Sequence, residues 1–186
     1  MKKYVLDLTV TENIRLHANY VLIKLTQSDP LPEMLPGQFA EIRVDGSPTT
    51  FLRRPISINY VDRKTNEVWF LVQLVGDGTR KLATVQKGEY GQCRTAFGQR
   101  FLHAGITGEE VLLIGGGVGT APMLYLGEAL LKAGCKYIPA GCTLQERSVA
   151  VRPVCCFRRG SHHNRRRKHG RKRLCNYAQR TGQQPV

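Results

Sequence analysis

The run V-L-L-I-G-G-G-V-G-T-A-P, Val111 to Pro122, holds the residues best suited to chemistry. Four apolar residues suit a buried strand, a glycine-rich turn follows, and Met123, Leu124, Leu126, Ala129, Leu130 and Leu131 recur with helical spacing. A strand that breaks into glycines and then opens a helix is built to hold phosphate. The glycines let a ligand approach the backbone, and the helix start offers unpaired N–H groups and partial positive charge. A tight strand-to-helix turn without a ligand is the plainer reading, and a lone glycine motif does not decide between them.

Two upstream segments point the same way. Phe51-Leu52-Arg53-Arg54-Pro55-Ile56-Ser57-Ile58 sets two arginines just before a strand. A guanidinium fork grips phosphate at two points, and a hydroxyl on the following strand can reach a flavin ring or phosphate. In Gly76-Asp77-Gly78-Thr79, two glycines free the backbone and Thr79 is placed to cap a helix whose start faces an anion. Surface arginines at a strand start and an ordinary capped helix are the corresponding plain readings.

These segments need elements to hold them. Lys3–Val10, Tyr20–Leu25, Gln38–Val44, Pro55–Tyr60 and Val68–Val75 read as strands, broken by Leu35-Pro36-Gly37 and the polar turn Asp62–Asn66. Regular short strands with Pro/Gly punctuation predict an antiparallel barrel or sandwich. A short helix is expected over Arg80–Val85. After Gly105 the pattern becomes strand–turn–helix, the mark of an α/β unit. The expected division is a barrel over 1–104, an incomplete α/β unit over 105–147 and a separate tail over 148–186.

Charge separates that tail from the rest. The chain of 186 residues carries a net charge of +14, yet all 14 Asp and Glu precede residue 147, and 12 of the 28 Lys and Arg lie from Arg147 onward. A stretch so cationic and poor in apolar residues is expected to be disordered. It is also the composition of an arm that binds RNA or DNA through phosphate, a reading from a different functional class. Zinc binding by Cys155, Cys156, His162, His163, His169 and Cys175 is disfavoured, because adjacent cysteines fit one tetrahedral ion poorly. No apolar run suits a membrane span and the start does not read as a signal peptide, so no membrane partner and a cytoplasmic location are expected.

Arg-Pro-x-Ser on a barrel strand, Gly-x-Gly-Thr at a helix start and Gly-Gly-Gly-x-Gly-x-x-Pro after an α/β strand form an ordered set. It resembles the ferredoxin–NADP reductase superfamily, whose Greek-key FAD-binding barrel precedes a nicotinamide-nucleotide domain. Within it, L-P-G-Q-F-A-E-I-R-V, F-L-R-R-P-I-S-I and G-G-G-V-G-T-A-P-M-L-Y-L are most similar to the electron transfer subunits of dihydroorotate dehydrogenase B. The resemblance covers Met1 to about Cys135. It implies that Arg54, Pro55, Ile56 and Ser57 hold FAD, with the isoalloxazine ring against Leu71, Val72 and Gln73. It assigns the pyrophosphate to Gly78 and Thr79, and the nicotinamide nucleotide to Gly115, Gly116, Gly117, Gly119, Thr120 and Pro122. It further implies electron transfer from a catalytic dihydroorotate dehydrogenase subunit, through a 2Fe–2S cluster and FAD, to NAD in pyrimidine biosynthesis. The cofactors carry that chemistry, so no acid–base side chain is required. Nucleic acid is then not the expected partner. Another NAD(P)H-dependent flavin reductase of the superfamily is the alternative, and the motifs leave NAD against NADP open.

The chain departs from the pattern in three places. Ile56 stands where the wider superfamily carries a ring-stacking tyrosine, although Arg-Pro-Ile-Ser is usual in the dihydroorotate subunits. The six cysteines (Cys93, Cys135, Cys142, Cys155, Cys156 and Cys175) include no C-x-x-C, so the cluster's ligands are absent and no metal site is expected. Tyr90–Arg100 reads Y-G-Q-C-R-T-A-F-G-Q-R where the family has a strand ending in P-L-G-N-G-F. Codons compatible with it, read one nucleotide later, spell M-V-N-V-V-L-P-L-G-N. Ala150–His162 likewise permits Q-L-D-L-F-A-A-F-G-E-V-H, and His163–Asn176 permits I-T-E-D-G-S-M-G-E-K-G-Y-V-T. The chain is therefore expected to be out of frame in both segments, lacking one barrel strand, the cluster and most of the nucleotide domain.

Overall fold

The computed structural model describes residues 3–101, 106–142 and 179–180. Six strands close an antiparallel barrel: β1 (Tyr4–His17), β2 (Tyr20–Thr26), β3 (Phe39–Ile42), β4 (Arg54–Asp62), β5 (Glu67–Gln73) and β6 (Tyr90–Phe97). Their order round the barrel is β1-β2-β5-β4-β3-β6, so the chain leaves β2, rejoins the sheet at β3 and returns beside β5. That is the Greek-key barrel the strand spacing and the family resemblance led us to expect. Alternation builds the core: Leu6, Leu8 and Val10 of β1, Val21, Ile23 and Leu25 of β2, and Val68, Phe70 and Val72 of β5 all point inward and are buried. Full burial of such a side chain is worth about 1.5–3 kcal/mol.

Three expectations are corrected inside the barrel. The missing strand is present: Tyr90–Phe97 pairs with β1 from Tyr4↔Thr95 to Thr9↔Tyr90 and meets β3 at Ile42↔Cys93. Backbone pairing needs no particular side chain, and Arg53 reinforces the seam by donating to the Gln92 carbonyl (3.1 Å) and side chain (2.5 Å). β1 runs seven residues past Val10, because its polar second half pairs with β2 as a hairpin from Thr9↔Thr26 to His17↔Tyr20. Helix α1 is Asp77–Leu82 rather than Arg80–Val85, starting directly after Gly76.

The second unit is small. Strand β7 (Glu110–Gly116) passes through a 3-10 turn, Gly117–Thr120, into helix α2 (Met123–Lys132). Leu126 and Leu130, one turn apart, face Val111, Leu113 and Cys135 in a core of their own. β8 (Lys136–Cys142) lies parallel to β7, so this unit has a strand more than the strand-and-helix expected; β9 (Gln179–Arg180) pairs antiparallel on the other side. Most of the basic tail, with its possible zinc ligands, lies outside the described residues. No helix among the described residues is long and apolar enough to cross a membrane.

Candidate functional site

Strand β4 and helix α1 meet at the first phosphate-suited segment. Gly78 is buried, and a Cβ added there would lie 3.0 Å from Thr50 Cγ2 and 3.1 Å from Arg54 Cδ. Only glycine lets the α1 backbone lie this close to the arginine stem. Arg54 donates from Nε and Nη2 to the Leu52 carbonyl (3.2 and 2.9 Å) and has no carboxylate partner among the described residues. A guanidinium held by a single carbonyl beside open backbone is suited to an anion. Thr79 is not the N-cap; that position is Gly76. From the third position of the helix, Thr79 Oγ1 accepts from the Val75 and Gly76 N–H groups (3.0 and 3.1 Å) and donates to the Gly76 carbonyl (3.0 Å). The hydroxyl therefore shapes the turn. Asp77 beside it is turned to Arg80 (2.6 Å), whose hydrogen bond holds its carboxyl below the usual range.

Arg53 lies just before β4 and Arg54 opens it, and the two side chains take different partners. Arg53 faces β3 and β6, as described above, and only Arg54 reaches the Gly78 cradle. Pro55 is exposed, Ile56 and Ser57 are half-buried, and Ser57 pairs across β3 with Phe39. Of the residues assigned to the ring wall, Val72 is wholly inside the barrel core, so it offers a ligand only its backbone. Leu71 points the other way, into a small cluster with Leu22 and Ala121, and Gln73 is half-buried at the strand end. Phe51 and Leu52, just before the arginine pair in the chain, are 91% and 73% exposed.

The glycine loop has a specific steric cause. A Cβ on Gly115 would meet Thr120 Cα at 2.7 Å and Thr120 N at 2.8 Å. The loop folds straight back over the end of β7, which only glycine permits. Thr120 Oγ1 donates to the Gly117 carbonyl (2.9 Å), Gly119 lies in the same 3-10 turn, and Pro122 is the N-cap of α2. Gly115 and Gly116 belong to the strand itself, so the turn is tighter than the sequence pattern suggests.

Sequence reasoning did not single out Asn59, Tyr60 or Tyr125, which join the two units. Asn59, buried on β4, donates from Nδ2 to the Ala121 carbonyl at 2.6 Å. Tyr125 of α2 donates to the Met34 carbonyl (2.8 Å) and packs edge-on against Tyr60, which in turn packs on Trp69. Burial first, and then the Glu128 carboxylate, pushes the Tyr60 hydroxyl up to about 12. Asn59 lies two residues beyond Ser57, a spacing that was the one available signal.

An iron–sulfur cluster finds no place among the described residues. No group of three or more potential ligands gathers there. Cys93 is buried in the barrel, where desolvation raises its thiol to about 12, while Cys135 is buried in the second core with Sγ on the Ile106 carbonyl at 3.2 Å. The two sit in separate cores.

The fold is similar to that of several solved reductases. Ferredoxin-NADP+ reductase from Plasmodium falciparum matches 82% of this chain and 64% of its own with a TM-score of 0.66 at 15% identity. An NADH-dependent reduced ferredoxin-NADP oxidoreductase, described as a flavin-based electron bifurcation system, matches 75% of this chain and 49% of its own with a TM-score of 0.63 at 21% identity. Phthalate dioxygenase reductase, described as transferring electrons from pyridine nucleotides to [2Fe-2S], matches 76% of this chain and 44% of its own with a TM-score of 0.61 at 18% identity.

The sequence relatives are named electron transfer subunits of dihydroorotate dehydrogenase B (NAD(+)). The Shouchella clausii protein of that name is 42% identical over 102 residues, covering 54% of this chain and 39% of the relative. The Fusobacterium nucleatum protein is 34% identical over 133 residues, covering 71% of this chain and 51% of the relative. The recognition made from the motifs therefore stands, and homologues and structural neighbours alike are oxidoreductases or reductase subunits. The chain spans about half the length, or less, of the curated relatives it matches. No family model matches it.

Proposed function

We propose that this chain is an electron transfer flavoprotein subunit whose barrel, residues 1–104, holds FAD. Residues 105–147 supply the first part of a nicotinamide-nucleotide unit. Gly78 packed against Arg54, whose guanidinium has no carboxylate partner among the described residues, carries the reading, since it sets bare backbone and an unneutralised cation side by side, as a pyrophosphate requires. Arg54 and the Gly76–Thr79 turn bind the pyrophosphate, Pro55, Ile56 and Ser57 offer the strand along which the ligand lies, and Leu71, Val72 and Gln73 back the ring. The Gly115–Pro122 loop, including Gly116, Gly117, Gly119 and Thr120, receives NAD. A flavin bound here would supply redox chemistry between a dihydroorotate-oxidising partner subunit and NAD; this chain's residues would bind and orient it. The iron–sulfur step of that route has no ligands among the described residues, and none is assigned to this chain.

The reading includes the two irregular segments, which we propose are out of frame with the rest: Tyr90–Arg100 and the stretch 148–186. The test of function is the cofactor itself. Heat-released ligand from the purified chain should chromatograph as FAD, and a chain free of flavin, or holding only FMN, would overturn the proposal. A second reading, a flavin reductase serving another acceptor, is favoured by the range of reductases sharing the barrel. Co-purification with a dihydroorotate-oxidising subunit separates the two.

A further inference from the structure

We infer that Asn59 is a positioning residue that fixes the nucleotide loop to the flavin strand, an inference that rests on the function just proposed. Ile58 pairs with Phe70 and Tyr60 with Trp69, so two steps along β4 match one along β5 and Asn59 is the extra residue of a β-bulge. A bulge re-aims a side chain that the regular ladder would commit elsewhere. Asn59 is 7% exposed, and its amide reaches out of the barrel sheet to the Ala121 carbonyl at 2.6 Å.

Ala121 is the hinge between the glycine turn and α2. Its own N–H already donates back to the Val118 carbonyl (2.9 Å), closing the turn. Its methyl is buried against Leu22 and Leu71, on the outer face of β2 and β5. The apolar contact sets how closely the loop approaches the barrel, but a methyl among leucines is free to slide. The buried hydrogen bond is directional and removes that freedom. Ser57 and Asn59 share one short stretch of β4, so the strand assigned to the flavin also sets the position of the loop assigned to the nicotinamide nucleotide. Hydride transfer depends steeply on the separation of its two partners. One side chain thus couples both halves of the site without touching either ligand.

Hydrogen–deuterium exchange and tryptophan emission on the intact chain test this without relying on turnover. Asn59→Asp keeps the shape but replaces the donor with a carboxylate that repels the carbonyl, and Asn59→Leu leaves the carbonyl unpaired. Both should raise exchange of the 115–121 amides by about tenfold while leaving β2 and β5 unchanged. Trp69, the sole tryptophan, reports the docking of α2 through Tyr60 and Tyr125, so its emission should move to the red in both variants. Asn59→Gln, which retains the amide donor, should recover most of the loop protection. FAD content should be the same in all four proteins. Unaltered loop exchange in Asn59→Asp, or loosening spread equally through β2 and β5, would overturn the positioning role. Absence of FAD from every protein would overturn the proposed function while leaving the loop result readable.

Discussion

Strands β5 and β6 lie in the same barrel, yet they are held there by different forces. β5 is packed: Val68, Phe70 and Val72 are fully buried on its inner face and Leu71 is buried on its outer one. β6 turns Cys93 and Thr95 inward, and Thr95 Oγ1 is the single buried side-chain polar atom without a partner among the described residues. Beside Gly91 of β6 opens a cavity of about 170 Å³, walled by Val10, Ile23, Leu25, Leu82 and Val85 among others. The barrel closes at β6 through its backbone ladder and Arg53, not through fitted side chains. The one-nucleotide shift proposed for this segment converts Gly91, Cys93 and Thr95 to Val, Val and Leu, giving an apolar residue at each of these positions. A strand can thus hold its place through its backbone ladder without fitted side chains.

The largest expected effect comes from striking the packed strand. Phe70→Ala should cost about 3–5 kcal/mol in a urea titration, enough to unfold most of the population of a marginal domain. The seam should respond with the opposite sign: the triple change Gly91→Val, Cys93→Val and Thr95→Leu should stabilise by about 2 kcal/mol as cavity and orphan hydroxyl disappear. Loss of stability in that triple variant would show that β6 is already fitted. Thr95→Val alone, nearly isosteric, should gain about 1 kcal/mol. A smaller effect concerns pH. Burial lifts the Cys93 thiol from 9.0 to about 12, so the folded barrel keeps it protonated. Its contribution is complete below pH 9 and is lost as the pH rises toward 12; Cys93→Val should flatten that part of the decline above pH 9.

The same contrast explains what could be read in advance. β2, β4 and β5 are short runs rich in apolar and β-branched residues bounded by turn signals, and the glycine run after Ile114 is dictated by the Gly115–Thr120 contact, so both were legible. β6 was not, because its inward positions carry a glycine, a cysteine and a threonine and its support lies in partners distant along the chain. β8 was hidden by Pro139 and Gly141, residues disfavoured in strands but accepted here in a parallel pairing with β7. At the site, Arg54, Gly78 and the glycine loop were recognised by residue type, whereas the division of labour between Arg53 and Arg54 shows only in the partners each side chain takes. Asn59 depends on a bulge, a feature of register between two strands that one strand's sequence does not display.

The account stands most directly on flavin binding at the Arg54–Gly78 cradle. FAD affinity, measured by fluorescence titration of the chain and of Arg54→Ala, should fall about tenfold to a hundredfold in the variant while its circular dichroism stays unchanged. Equal FAD affinity in the two proteins would contradict it.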